Sequence, residues 1–526
     1  MQRYYRSHRA TWACGKFCCC LPAALRAAPR ELWVVILVKM IGSLAYFSSS
    51  LVFVPYMHNE FNYTDVEAGT LYGVWGFLTS VMGVVCGPVI DRLGIKRSLV
   101  VGSLFGVAGA VVMSLARSRG WILLAICCLM PLSTSLGIPV LTIGIKRYTS
   151  SRNRDLSYGI FYSMMNVGAV VAGPCVDAIR FGVAGGVSYG GYTASAPRVV
   201  FLLGGILMLL MALLAVGVIR DVVVTKHGAV YLRVARANPG PLQQAPADDN
   251  EIIDQEMLKA ELDEDELKPP SRGGCSPRAW LEPLRDRFFW RLAIFSFAMT
   301  PVNMIFRHMD ATLPTWLMRT LGEKVAFGTL YIVDPFCVII LTIVFPLLLS
   351  RYDVYKRMIV GSLISSLAVF ILAMQASALS VVLFGVALSV GESLYSPLIY
   401  SYSMSLAPKD KEGSYTALSS APLFTTKLFV GWISGSLLGT YCPRDGPTQY
   451  CPIVWVWVGG IALLTPVMLL VSMRFVHSAE SRIRMASQED GRKREDAQPG
   501  ALDIMESQLN EMHDKLTNDG PGKTKK

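Results

Sequence analysis

The chain is poor in charge. Only 17% of its 526 residues are Asp, Glu, Lys or Arg, against 52% hydrophobic, and the mean hydropathy is +0.43. A soluble domain normally carries about a quarter charged residues, so this shortfall argues against soluble enzymes and disordered chains. Cysteine is thin as well: twelve residues are too dilute for a disulfide-stapled scaffold. The six histidines are scattered, none at the spacing of a metal-binding pair. Neither a Walker loop nor a Gly-x-Ser-x-Gly turn occurs. The sequence therefore offers no site for metal, nucleotide or serine-hydrolase chemistry, and no cofactor is expected.

What is abundant is long apolar runs. A helix needs about 20 such residues to cross the hydrocarbon of a bilayer. Six runs precede residue 220, at about 32–55, 70–90, 98–116, 121–145, 158–180 and 199–219. Six more follow residue 287, at about 291–317, 327–349, 357–375, 380–404, 413–438 and 452–474. The first is expected to be a span rather than a cleavable leader, because a polar, cysteine-rich stretch precedes it and no small-residue cleavage site follows. The expectation is an all-α membrane protein of twelve transmembrane helices in two pseudo-symmetric six-helix bundles. Residues 1–32 form a tail, 33–219 and 288–474 the bundles, 220–287 a linker and 475–526 a second tail.

The net charge of +11 suggests nucleic acid until it is mapped. With the N-terminus placed in the cytosol, 39 of the 49 Lys and Arg fall on that face, 7 on the other and 3 inside spans. Cations favour cytosolic loops, so the charge orients the helices, sets both termini in the cytosol and needs no nucleic acid. Shifting the sequence by 259 residues then overlays it on itself. Val66-Glu67-Ala68-Gly69-Thr70-Leu71-Tyr72 falls on Val325-Ala326-Phe327-Gly328-Thr329-Leu330-Tyr331, and 13 of 39 positions over 66–104 are identical. Duplicated six-helix halves are a transporter architecture. The linker is strongly acidic from Asp248 to Glu266 and reads as a solvated tether with a short amphipathic helix.

The loop after the second run, Gly87-Pro88-Val89-Ile90-Asp91-Arg92-Leu93-Gly94-Ile95-Lys96-Arg97, resembles the loop motif of the major facilitator superfamily. A degenerate copy, Ser350-Arg351-Tyr352-Asp353-Val354-Tyr355-Lys356-Arg357, sits at the equivalent place in the second half. The resemblance implies that Gly87, Asp91, Arg92, Gly94, Lys96 and Arg97 latch the cytosolic ends of the two halves together, Asp91 lying against a positive helix end. Tyr158-Gly159-Ile160-Phe161-Tyr162-Ser163-Met164-Met165-Asn166-Val167-Gly168-Ala169 and Gly391-Glu392-Ser393-Leu394-Tyr395-Ser396 are similar to signatures of proton-coupled oligopeptide transporters. Ser163, Met165 and Val170 depart from the first signature. The first helix lacks that group's Glu-x-x-Glu-Arg and offers only Lys39.

A charge inside a span costs about 2.5–3.5 kcal/mol on insertion scales and needs a partner or a watery cavity. Lys39, Arg307, Asp310, Asp334, Glu392 and Lys427 stand inside runs, three of each sign, so mutual pairing is open. Arg307 and Asp310 are three apart on one helix face. The functional reading is a central cavity in which Arg307 or Lys427 meets a substrate carboxylate while Glu392 or Asp310 carries a proton, with Lys39 a further candidate. The structural alternative is an internal ion pair, such as Arg307–Asp310 stabilising one helix, with nothing exchanged. Asp334, near the end of its run, reads as interfacial.

Cys14, Cys18, Cys19 and Cys20 beside basic residues suit S-palmitoylation. Cys442 and Cys451 share a non-cytosolic loop and are disulfide candidates, and Asn62-Tyr63-Thr64 is a glycosylation sequon on the same face. The whole reads as a monomeric, multi-pass secondary transporter of a small organic solute in the plasma membrane or an endomembrane such as vacuole or lysosome. An amino acid, peptide or organic anion is expected, with a proton as coupling partner. Drug or metabolite efflux by antiport and a non-transporting sensor of the same fold are the alternatives.

Overall fold

The computed structural model describes residues 3–6, 28–149, 154–189, 192–220, 222–224, 230–234, 287–349, 352–406, 412–444 and 446–473. By compactness the chain divides into two units, Met1–Leu470 and Val471–Lys526, and every contact discussed below lies within the first.

Every expected run lies in helix to within a residue or two. Passage 1 is Arg30–Phe61 and ends on Asn62 with φ 50°. Passages 2 and 3 are one helical element, Asp65–Leu115, whose single non-helical residue is Gly94 at φ 73°, ψ 175°. The sequence suggested a loop here; the structure turns the chain on one glycine, because only a residue without Cβ reaches that region freely. Passage 4 combines Arg119–Leu124, a π-turn at Ala125–Leu129 and Met130–Arg147, while passages 5 and 6 are Arg154–Gly182 and Ala196–Val218.

The second half is more broken. Passage 7 joins Arg287–Ala311 to Leu313–Leu321, passage 8 joins Phe327–Tyr331 to Val333–Leu349, and passage 9 joins Val354–Ala368 to Phe370–Met374. Passages 10 and 11 are Ala378–Leu406 and Glu412–Tyr441, and passage 12 starts with Ile453–Ala462. Among the described residues, eight helices are long and apolar enough to cross a membrane, and Phe327–Thr342 is a shorter apolar helix.

Five strands lie outside these passages among the described residues: Val187–Tyr189 pairs antiparallel with Tyr192–Ala194 between passages 5 and 6, and the other three form a separate sheet. Arg3–Arg6 pairs antiparallel with Val230–Val234, which pairs with Val222–Val224. The start of the linker is thus strand, joined by the N-terminal segment, where the sequence suggested a solvated tether. The expected amphipathic helix lies outside the described residues.

Passage 3 packs on 4 and 6, passage 1 on 5 and 6, passage 10 on 8 and 9, and passage 7 on 11 and 12. Besides a smaller contact of passage 1 with 7, two crossings join the halves: passage 2 on 11 and passage 5 on 8. Each is a glycine-on-glycine contact, Gly69 against Gly431 and Gly328 against Gly173, so close that a Cβ on any of the four would collide with backbone. Gly69 and Gly328 are the repeat-related glycines of the two Gly-Thr-Leu-Tyr segments. The duplication therefore has a structural use: the same four residues make both joints.

Candidate functional site

Near the two crossings, side chains from both halves converge. Arg307 of passage 7 donates from Nη1 to the Tyr46 hydroxyl at 2.9 Å and lies 3.3 Å from Asp310 Oδ2 on its own helix. Asp310, 1% exposed, also accepts from Tyr72 at 3.2 Å and Tyr331 at 3.1 Å. Those tyrosines close the two Gly-Thr-Leu-Tyr segments, so one carboxylate is held from both sides of the duplication. Lys427 of passage 11 is buried, with Nζ 4.0 Å from the Trp75 ring centroid and 4.7 Å from those of Tyr46 and Tyr72. Such contacts attract a desolvated ammonium by about 2 kcal/mol. Phe53 stacks on Trp75 at 5.5 Å between centroids and stiffens this wall.

Of the six charges inside the runs, only Arg307 and Asp310 make an ion pair among the described residues. Of the pairings left open, Arg307–Asp310 is the one present among the described residues. Lys427 meets ring faces, and the cluster holds two basic side chains and one carboxyl group. Lys39 stands apart, its Nζ 5.2 Å from the Phe161 ring. Glu392 of passage 10 is also separate and accepts from Tyr162 of passage 5 at 3.0 Å. Asp334 is 5% exposed, with Oδ1 buried and unpartnered. It is buried by its neighbours, with passage 10 packing over its backbone at Gly385.

The end of the bundle carrying the Cys442–Cys451 disulfide is tied across the halves by a second set of contacts. Arg319 grips Asp65 with both terminal nitrogens, at 2.6 and 3.0 Å, and donates to the Cys442 carbonyl at 2.6 Å. Asp177 of passage 5 accepts from the backbone N–H groups of Gly328 and Thr329, capping the positive end of passage 8. Arg180 donates to the carbonyls of Glu323 and Val325 at 2.9 and 3.0 Å. The sequence pattern places Arg319 as a loop cation and gives no signal for Asp177 or Arg180.

At the opposite end, Gly94 turns the chain between passages 2 and 3, Lys96 donates to the Val216 carbonyl at 2.7 Å, and Arg97 is exposed. Gly87 lies in the helical element Asp65–Leu115, while the side chains of Asp91 and Arg92, on which the latch depends, fall outside the described part of the structure. Cys14, Cys18, Cys19 and Cys20 lie outside the described residues. Asn62 is exposed, and the Thr64 of its sequon caps passage 2: its hydroxyl accepts from the Glu67 N–H, while its own N–H donates to the Glu67 carboxylate at 2.8 Å. Those donors hold the exposed Glu67 below its usual carboxylate range. No group of three or more metal-ligating side chains occurs among the described residues.

A model of the Major Facilitator Superfamily matches residues 35–422. Among curated proteins, the multidrug resistance protein MdtH of Edwardsiella ictaluri is 28% identical over 113 residues, 22% of this chain and 28% of that protein. The tetracycline resistance protein, class G, of Vibrio anguillarum is 25% identical over 155 residues, 29% of this chain and 38% of that one. The chain thus aligns with under two-fifths of the length of these relatives. Among solved structures, the POT family transporter PepTSo superposes with a TM-score of 0.61 over 86% of this chain and 99% of its own, at 13% identity. A POT family transporter in complex with 5-aminolevulinic acid gives 0.60, over 85% and 97%, at 15% identity. At such identities the likeness is one of fold.

Proposed function

The chain belongs to the major facilitator superfamily and is a secondary transporter, and from that premise we propose that it carries a small organic solute bearing a carboxylate, by alternating access coupled to a proton. The observation that carries this reading is the charge of the central cluster. Arg307 and Lys427 face one carboxylate, Asp310, whose oxygens are already taken by Arg307, Tyr72 and Tyr331. One positive charge is left beside an aromatic wall. An anion entering from solution would neutralise it, with Tyr46 and Trp75 flanking the apolar part of the solute. An amino acid, a short peptide or an organic acid has that chemistry.

The cluster is built from passages 1, 2, 7, 8 and 11, so any rocking of the bundle at 33–219 against that at 288–474 must rearrange it. The ties at the disulfide end support a state closed there. The abundance of cations on the other end supports cytosolic termini, with the disulfide on the oxidising side. Asp91 and Arg92 would latch the cytosolic end when the disulfide end opens. Efflux by antiport is the second reading, favoured by the resistance proteins among the curated relatives.

A binding screen tests the substrate class. A ligand present at 100 times its Kd stabilises the folded protein by about 2.7 kcal/mol. Amino acids, peptides and organic acids are compared with their uncharged amides for the thermal stabilisation they give the purified protein. The reading requires that acids stabilise wild type, that amides do not, and that Lys427→Gln loses the effect. Stabilisation by neutral or cationic drugs alone would favour the efflux reading instead.

A further inference from the structure

The carbonyls of both disulfide cysteines are taken by one helix face. Trp316 and Arg319 stand three apart on the outer piece of passage 7, Leu313–Leu321, and so share a face. Trp316 Nε1 donates to the Cys451 carbonyl at 3.0 Å, and Arg319 Nη1 donates to the Cys442 carbonyl at 2.6 Å. Cys442 directly follows passage 11, and Cys451 stands just before passage 12. The bond between them therefore fixes the two acceptors relative to each other and to passage 7. Trp316 and both cysteines are fully buried, and Trp316 packs edge to face with Trp455 of passage 12 at 5.6 Å between centroids. The same guanidinium that meets the Cys442 carbonyl reaches Asp65, the first residue of passage 2 in the other half, at 2.6 and 3.0 Å. A free arginine loses rotamer freedom each time it closes on a carboxylate, whereas one already held by a carbonyl has less to lose.

We infer that the Cys442–Cys451 loop is the positioning element of the closure at this end: the disulfide holds the two carbonyls that aim Arg319 at Asp65. This rests on the reading of Arg319–Asp65 as a tie that closes the disulfide end, and goes beyond it. The covalent bond lies wholly within the second half, yet it sets how firmly that half holds the first. Trp316, Cys442 and Cys451 act through Arg319 and touch no solute.

Cysteine labelling tests this with no solute present. Ser50 is fully buried beside Tyr46 and Tyr72, so a membrane-impermeant maleimide added at the disulfide end reaches Ser50→Cys only when that end opens. The parent is the full chain with the disulfide intact and its other cysteines replaced. Cys442→Ser with Cys451→Ser is expected to label about 10-fold faster, the scale of one hydrogen bond to a charged group. Added to Arg319→Ala, the two serines are expected to change labelling no further, because the loop acts through that arginine. A disulfide that only stapled its own half would lower the thermal midpoint in both backgrounds and leave labelling alone. Trp316→Phe keeps the disulfide and an aromatic ring but loses the bond to the Cys451 carbonyl; it is expected to label faster by a smaller factor, and serves if the serine variant fails to fold. Parental labelling in both the serine variant and Trp316→Phe, or acceleration that adds in full to that of Arg319→Ala, overturns the inference. Acceleration by Arg319→Ala but not by the serines keeps the tie and removes the loop's part in it, whereas no acceleration by Arg319→Ala removes both.

Discussion

The joint between Gly69 and Gly431 makes the most demanding prediction. A Cβ placed on Gly431 would stand 2.7 Å from the Gly73 nitrogen and 2.9 Å from its Cα, and closer still to the Gly69 carbonyl oxygen. These are backbone atoms and cannot swing aside. Ordinary contact begins near 3.4 Å, so relieving the closest of these clashes in Gly431→Ala requires passages 2 and 11 to separate by about an ångström at this crossing. Overpacking of this kind costs about 1–3 kcal/mol. The strain exists only where the helices touch, in the state closed at the disulfide end, so it shifts the balance toward opening by about 5- to 150-fold at 1.4 kcal/mol per tenfold. Ser50, fully buried beside Tyr46 and Tyr72, is a reporter position. With Ser50→Cys in a background lacking other free thiols, a membrane-impermeant maleimide added at the disulfide end should label Gly431→Ala faster than the parent. Gly460→Ala, whose Cβ meets nothing within 4 Å, is the control. Equal labelling in parent and Gly431→Ala, or equal acceleration in the control, would rule out strain at this joint.

Arg319→Ala removes both bonds to Asp65 and the bond to the Cys442 carbonyl; breaking a buried pair costs about 3–5 kcal/mol, so the same labelling assay should report opening, and unchanged labelling contradicts a gate here. Gly94→Ala forces a side chain into φ 73°, ψ 175°, a region costing about 1–3 kcal/mol without glycine, and should lower the thermal midpoint; an unaltered midpoint would show that the turn is not held as described. Glu67, held below its usual range by Thr64, contributes stability that is fully present above the ordinary glutamate value of about 4.3 and fades as pH falls through the lowered one. Glu67→Gln should flatten that acid limb in thermal unfolding, and superimposable limbs for the two proteins would show that the capping carboxylate adds nothing.

Much of the fold was legible because the bilayer imposes a length and an apolar character on each passage, and periodic burial does not have to be inferred. The duplication was legible too, but its meaning was not. Gly69-Thr70-Leu71-Tyr72 and Gly328-Thr329-Leu330-Tyr331 mark a repeat in the sequence, while their role as joints and as the two clamps on Asp310 depends on which helices cross, which no spacing reveals. Arg307 with Asp310 follows from a three-residue spacing on one helix. Lys427 against Tyr46, Tyr72 and Trp75 does not, since its neighbours come from passages 1 and 2, hundreds of residues away. The burial of Asp334 was not legible because position along an apolar run does not say which helix packs over it. Arg319 escaped because a cation in a loop is ordinarily solvated, and its buried grip on Asp65 exists only when the halves meet.

Whether a proton gradient drives a carboxylate-bearing solute through this cluster is decided by uptake into proteoliposomes. A labelled pool of amino acids, peptides, nucleosides and organic acids is offered with and without an inward proton gradient. At least one carboxylate-bearing member is expected to accumulate above its equilibrium level only with the gradient, and Glu392→Gln is expected to abolish the accumulation. No gradient-dependent accumulation by any member of the pool, or full accumulation in Glu392→Gln, would contradict proton-coupled transport through this site.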